Sequence, residues 1–319
     1  MVNKRRTRFT LNPIRLIRWL SGSELAEELP ISDTEPDPGL MGPGSITWRL
    51  HREQWLILGG ATCFLLQAAH PKVAQGAIEH SAYAEDPFGR VQRTVMAMTV
   101  LLTGTNREVN AVARRINQIH QNVHGTLTRS IGLYRAGEPY SAMDISPLLW
   151  VHVSFVEGML TAYRNFVGPL SEADCEQYWQ ESCRYARRLG LTEVVLPSSY
   201  RAMEAYRDRA IATGEVIVGE EARRIAHTIL YPPLPWLRQR LWGAVRIIAG
   251  GQLPPAIRAG YGLKWTWRES VAFWCIGRGC RLLRFLLPGV LGRSVLVNFA
   301  EQRVQSRMSG SPAMAQIDS

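Results

Sequence analysis

The stretch from residue 67 to 124 constrains the fold more than any other. Its apolar residues recur at helical spacing, and residues that stop helices interrupt that spacing at three places. His70-Pro71 ends one helix and opens a short one reaching about His80, because proline suits a first helical turn and cannot sit inside. Residues 84–89 read as a loop, with Pro87 and Gly89 as breakers. Residues 90–103 read as a long apolar helix that Gly104-Thr105-Asn106 stops. Thr105 followed by Glu108 fits a capping box, and the helix it opens is predicted to run to about His124. Val109, Val112, Ile116, Ile119, His120 and Val123 share its apolar side.

The same reading extends along the chain. Gly42-Pro43-Gly44 is a turn, and Ser45 can cap an apolar helix continuing to Ala69. Residues 125–147 are mostly loop. Further helices are predicted at 147–167, at 171–189 with Ser171 and Asp174 as caps, at 200–213 and at 219–231. Two more are joined by residues 253–265, the last ending near 308. No alternating strand pattern, GxGxxG or internal repeat appears. With 319 residues, 46% of them apolar, there is ample material for one large core. The expected fold is all-α: a single multi-helix globular domain over residues 42–308, after an N-terminal arm and connector (1–41) and before a disordered tail (309–319).

The net charge is +10, yet of 37 basic residues only Lys4, Lys72 and Lys264 are lysines. Forked guanidiniums suit carboxylates, phosphates or anionic lipid, although base composition of the source genome gives the same bias. The arginines are scattered through apolar helices and no nucleic-acid-binding pattern occurs, so no nucleic-acid partner is expected. Residues 1–20 hold six bases and no acid, with Ile14, Leu16, Ile17, Trp19 and Leu20 alternating with Arg15 and Arg18. Such a segment either lies on a membrane surface or docks on its own domain. Five cysteines, an odd number without CxxC spacing, indicate buried free thiols in a reducing, cytoplasmic setting. No secretory signal is evident, and no apolar run reaches the roughly 18–20 residues of a membrane span.

The chemistry-bearing residues concentrate in the stretch described first. His70, His80, His120 and His124 lie there, with Arg90, Arg93 and Thr94 at i, i+3 and i+4 on one helix face. Imidazoles and guanidiniums gathered this tightly suit an anionic, metal-containing cofactor. Haem needs an axial imidazole and cations for its propionates. Arg49 and Arg52, one turn apart, face either surface acids or a cofactor's carboxylates. His152 and Glu157 are the polar residues of the apolar 147–167 helix. Three classes compete: a haem protein with His120 or His124 as axial ligand, a non-haem iron protein, and a non-catalytic helical scaffold or lipid carrier. A di-iron bundle is disfavoured, because no histidine has a glutamate three residues before it. A mononuclear site of His120, His124 and Glu157 stays open.

The segments GPGSITWRLHRE, QAAHPKVAQGAIEHS, DPFGRVQRT, IHQNVHG, SPLLWVHVSF and LPPAIRAGYGLKW occur in this order. Together they make the chain resemble the oxygenase MpaB and rubber oxygenase (latex clearing protein) family. The resemblance implies an all-helical fold with a buried haem b pocket. It also implies an oxygenase that acts with dioxygen on a small hydrophobic, isoprenoid or lipid-like substrate. In rubber oxygenases a histidine is the proximal ligand, and an upstream Arg-x-x-Lys-Thr element can supply a distal lysine. Here the element reads Arg90-Val-Gln-Arg93-Thr94, and a guanidinium does not ligate iron. The resemblance therefore gives His120 as the iron ligand, with His124 second, and an open or water-occupied distal side. It gives Arg90, Arg93 and Thr94 as catalytic donors, and Arg49, His70, His80 and His152 as residues that orient the cofactor or its ligand.

Overall fold

The computed structural model describes residues 37–81, 87–232, 236–286 and 293–308. Most of the expected N-terminal arm and connector, and the whole 309–319 tail, lie outside the described residues. The fold is all-α, as expected.

The first predicted helix is broken in three: α1 (Ile46–His51), a 3₁₀ segment (Gln54–Gly59) and α2 (Gly60–Ala68). Glu53 causes the break. Its backbone is extended and bridges to Arg293, while its carboxylate accepts from the Arg284 guanidinium at 2.6 and 2.8 Å. Ser45 caps α1 by accepting from the Trp48 amide. α3 (Pro71–His80) begins with proline at its first turn, as predicted, and α4 (Pro87–Thr103) follows. The Thr105–Glu108 capping box forms, with both reciprocal hydrogen bonds, and opens α5 (Asn106–Gln121).

That helix ends three residues short of the predicted His124. Asn122 closes it with backbone near φ −92°, ψ 0°, and its side-chain amide donates to the Gln118 carbonyl. His124 instead starts β1 (His124–Thr126), which pairs antiparallel with β2 (Pro139–Ser141) inside the segment expected to be loop. Gly125 is needed there: a Cβ would come within 2.9 Å of the Glu79 carboxylate and the Tyr140 hydroxyl.

The remaining elements are α6 (Ile145–Phe166), α7 (Glu172–Arg188), α8 (Tyr200–Thr213), α9 (Glu220–Leu230), α10 (Trp236–Gln252), α11 (Pro255–Gly260), α12 (Trp267–Leu286) and α13 (Val295–Met308). α6 is the axis of the molecule: α2, the 3₁₀ segment, α7, α8, α10 and α12 all pack on it. It buries residues on every side, including Trp150, Val153, Val156, Leu160 and Phe166. Each such aliphatic or aromatic side chain contributes roughly 1.5–3 kcal/mol relative to exposure. α6 is also long and apolar enough to cross a bilayer, contrary to the sequence reading, but two-thirds of that stretch is buried against its own neighbours. Indole donors tie the layers together. Trp150 Nε1 donates to the Leu66 carbonyl on α2 at 2.7 Å, and Trp48 Nε1 donates to the Leu102 carbonyl on α4 at 2.9 Å.

The crossing of α6 with α2 and the 3₁₀ segment depends on two glycines. A Cβ at Gly158 would lie 2.2 Å from Cys63 Sγ. One at Gly59 would lie 2.9 Å from both the Gly158 carbonyl oxygen and Ala162 Cβ. Gly158→Ala should therefore cost about 1–3 kcal/mol in chemical denaturation, the scale of overpacking a core. Adding Cys63→Ala removes the one atom it strikes and should recover most of the loss. Gly59→Ala meets backbone and should have no such partner.

Candidate functional site

α4 and α5 form an antiparallel hairpin about Gly104, so the first turns of α4 stand level with the last turn of α5. Arg90 and His120 are brought together in this way, and the Arg90 charge acts on the imidazole. His120 is half-buried, and its Nδ1 is fully buried with no hydrogen-bond partner. Burial first, and Arg90 second, hold its pKa below the ordinary histidine value. These effects oppose the helix C-terminus, whose dipole favours the cation. The imidazole is therefore neutral at pH 7. The expectation that His120 lies on a core-facing stripe is met only in part: Val109 and Ala113 are buried, whereas Ile119 next to it is 49% exposed.

The strand pair hangs beside this hairpin from the end of α3. The Tyr140 hydroxyl donates to the Glu79 carboxylate, and His80 Nε2 lies 3.0 Å from the backbone carbonyl of His124. The His124 side chain is exposed. His80, Arg115, Gln118, Ile119, Gln121, Asn122 and Val123 line a cleft of about 570 Å³. It opens to the surface, unlike the buried pocket expected from the sequence. Residues 82–86, which join α3 to α4, lie outside the described residues. His80 and His124 thus stand together at this cleft, whereas His120 and Arg90, which act on each other, are not among the residues that line it. Arg93 and Thr94 lie on the next turn of α4, Arg93 exposed and Thr94 half-buried. The Thr94 hydroxyl already donates to the Arg90 carbonyl at 3.0 Å, so the donor role expected for it requires releasing that bond.

The other expected residues stand elsewhere. His70 is fully buried as the cap of α3. Its Nδ1 accepts from the Lys72 amide at 3.2 Å, and its Nε2 faces Ser146 Oγ at 2.9 Å and the Tyr134 hydroxyl at 3.2 Å. Ser146 in turn donates to Glu215 at 2.6 Å. Both ring nitrogens are thereby used in holding α3 to α6. His152 is buried on α6 between Trp179 and Tyr185, with Nε2 at 3.2 Å from Ser182 Oγ. Arg49 is half-exposed and ion-paired with Asp174, beside a smaller cleft that Arg52 and Gln177 also line. The Glu157 carboxylate is taken by Arg207 at 2.7 Å. Among the described residues no three His, Cys, Asp or Glu side chains assemble as a metal would need, so the mononuclear set of His120, His124 and Glu157 is not formed.

Sequence reasoning missed several polar residues. Arg115, Gln118 and Asn122 of the cleft follow i, i+3, i+7 spacing, a signal masked by attention to the apolar side of α5. His51 is half-buried, 2.9 Å from the Tyr178 hydroxyl and stacked on Phe155, close to His152 and Tyr185. Its only sequence signal was its place between Arg49 and Arg52.

Burial lowers the pKa of His51 to about 4, and those of His70 and His152 to about 3, with the Lys72 charge adding to the effect on His70. The unfolded chain protonates near pH 6.5 and the folded chain does not, so folding loses stability as pH falls from about 6.5 toward these values. Each group contributes roughly 1 kcal/mol per pH unit inside that window. Denaturant titrations from pH 8 to pH 4 should show stability level above about pH 7 and falling steeply below 6. His152→Gln should make that slope shallower, whatever it does to stability at pH 8.

The family model described as ER-bound oxygenase mpaB/B′/rubber oxygenase, catalytic domain, matches residues 48–284. Uncharacterized protein Mb2261 of Mycobacterium bovis and Uncharacterized protein Rv2237 of Mycobacterium tuberculosis are each 24% identical to the chain over 231 residues. Those alignments cover 70% of this chain and 87% of each relative. No solved structure matches. The family match runs from α1 through nearly all of α12, taking in the hairpin, the strand pair and the central helix. The chain belongs to the MpaB/rubber oxygenase catalytic-domain family, a family of oxygenase domains.

Proposed function

We propose that this protein is a haem b-dependent oxygenase acting with dioxygen on a small hydrophobic, isoprenoid or lipid-like substrate. The observation that carries the reading is His120, a neutral imidazole whose Nδ1 is buried without a hydrogen bond among the described residues, as that of His152 is too, but which alone of the two feels an adjacent arginine, within an oxygenase domain. An unpaired buried polar nitrogen costs about 1–3 kcal/mol, which a fold retains where a ligand will satisfy it. Haem, when bound, supplies the redox chemistry with dioxygen that side chains lack. His120 would hold the iron, and Arg90 and Arg93 would face the propionates or a bound anion.

The polypeptide's own contribution is positioning. The α4–α5 hairpin fixes Arg90 against His120, and burial together with that cation keeps the imidazole unprotonated and able to ligate. His80, bonded to the His124 carbonyl, sets where the strand pair stands over the cleft. Ile119 and Val123 give the cleft an apolar portion suited to a hydrophobic substrate.

Protein expressed with a haem precursor should show a Soret band and stoichiometric haem b by pyridine haemochrome assay. His120→Ala should abolish the band with the helical circular dichroism unchanged, and Arg90→Gln should weaken haem retention several-fold. Retention by His120→Ala together with loss in His124→Ala would move the ligand to His124. A folded, colourless wild type that also rejects added haemin would overturn the proposal.

A further inference from the structure

α12 is apolar on two faces, and only one of them is used inside the protein. Gly277 and Cys280 are buried, and Phe273 and Ile276 pack against Phe166 and Ile248. The other face carries Trp267, Val271, Trp274, Leu282 and Phe285, all at least half exposed and up to 79% so. With Arg278 these residues follow steps of 4, 3, 4, 4 and 3 along the helix, which places them on a single stripe. Twenty residues at 1.5 Å each make it about 30 Å long. Leu286, also exposed, widens its end. A monomer whose surface had no further task would not align so many large apolar side chains.

The charges decide what covers the stripe. α12 contains Arg268, Arg278, Arg281 and Arg284 and a single acid, Glu269, which is engaged with Thr266. Arg268 lies over Trp267 at 5.6 Å, Arg278 over Trp274 at 5.1 Å and Arg284 over Phe285 at 5.9 Å. Arg268 and Arg278 thus hold their guanidiniums over exposed indoles, the arrangement by which arginine meets lipid phosphates above buried rings, whereas Arg284 is held by Glu53 and Arg281 by the Arg164 carbonyl. Lys264 is exposed just before the helix, and the whole chain carries +10. A second copy is a poor match. In a two-fold interface Arg278, in the middle of the stripe, would face its own counterpart without an acid to neutralise either. Four arginines also make the helix too charged to cross a bilayer.

We infer that α12 is a membrane-docking helix that lies along an anionic lipid bilayer, with Trp267, Trp274, Leu282 and Phe285 inserted below the headgroups and Arg268 and Arg278 on their phosphates. The proposal is independent of the cofactor, because none of these residues lines the cleft beside α5, and His120 and Arg90 lie on other helices.

Flotation of the full-length protein with phosphatidylcholine vesicles, with and without phosphatidylglycerol, tests it. Wild type should float with the anionic vesicles, more weakly as salt rises, and poorly with phosphatidylcholine alone. Trp274→Ser/Phe285→Ser should bind about 10-fold more weakly or less, and Arg278→Glu should lose the preference for anionic lipid, both with wild-type melting. Equal binding by the double variant would overturn the proposal, since residues 1–20 or another surface would then carry the interaction. So would a wild type that ignores vesicles, or a wild-type dimer that the double substitution dissolves.

Discussion

The close approach of α6 to α2 and the 3₁₀ segment is the contact on which the rest of the structure depends. A crossing in which glycine on each side leaves room only for small groups such as the Cys63 thiol and the Ala162 methyl lets one helix touch elements from both ends of the sequence. It is held from above by the Trp150 indole on the Leu66 carbonyl, and nearby by the Tyr261 hydroxyl, which donates to the Leu65 carbonyl at 2.6 Å. Two exposed-end carbonyls of α2 are thereby satisfied inside the protein, and the end of that helix is pinned where α3 begins. The position of α3 fixes Glu79 and His80, and through them the strand pair. The placement of the strand pair beside the cleft is thus set by contacts well away from it.

The two sides of the candidate site have different mechanical characters. The α4–α5 hairpin is a packed unit whose apolar seam includes Leu101, Leu102, Val109 and Ala113, with Tyr185 contributed by α7. The strand pair is short, and its segment is attached to α3 by the Tyr140–Glu79 and His80–His124 bonds, by Thr128 on Gln75 and by the Lys72–Glu138 ion pair. Isolated two-stranded ribbons are marginal in water. The polar lining of the cleft, Arg115, Gln118 and Gln121, belongs to α5 and so to the hairpin, the better packed of the two sides.

Much of the architecture could be read from residues whose chemistry is local. Pro71 fixed the start of α3, and Thr105 with Glu108 fixed the start of α5, because caps act on amides within one turn. The placement of Ser171 with Asp174 worked in the same way. Features that needed a distant partner were illegible. Glu53 looks like a helix residue until Arg284 and Arg293 are known to meet it. His124 looks like the next turn of α5, since nothing nearby announces the pairing with Ser141 that draws it into a strand. At the site, the nearness of Arg90 and His120 follows from two helices of similar length about a tight turn and was readable in principle. The separation of His70 and His152 from that pair was not, because a buried histidine bonded to serine and one set beside an arginine have the same sequence signature.

The five cysteines divide sharply by accessibility. Cys63, Cys175, Cys183 and Cys280 are buried, and burial drives their thiols away from ionisation, Cys63 to about 12 and Cys183 to about 11. Cys275 alone is exposed, and it lies on α12 beside Trp274. The native chain therefore carries one addressable thiol, already seated on its most apolar surface. A spin label or an environment-sensitive dye attached there would record the polarity and depth of whatever meets that face, with no cysteine introduced and none removed.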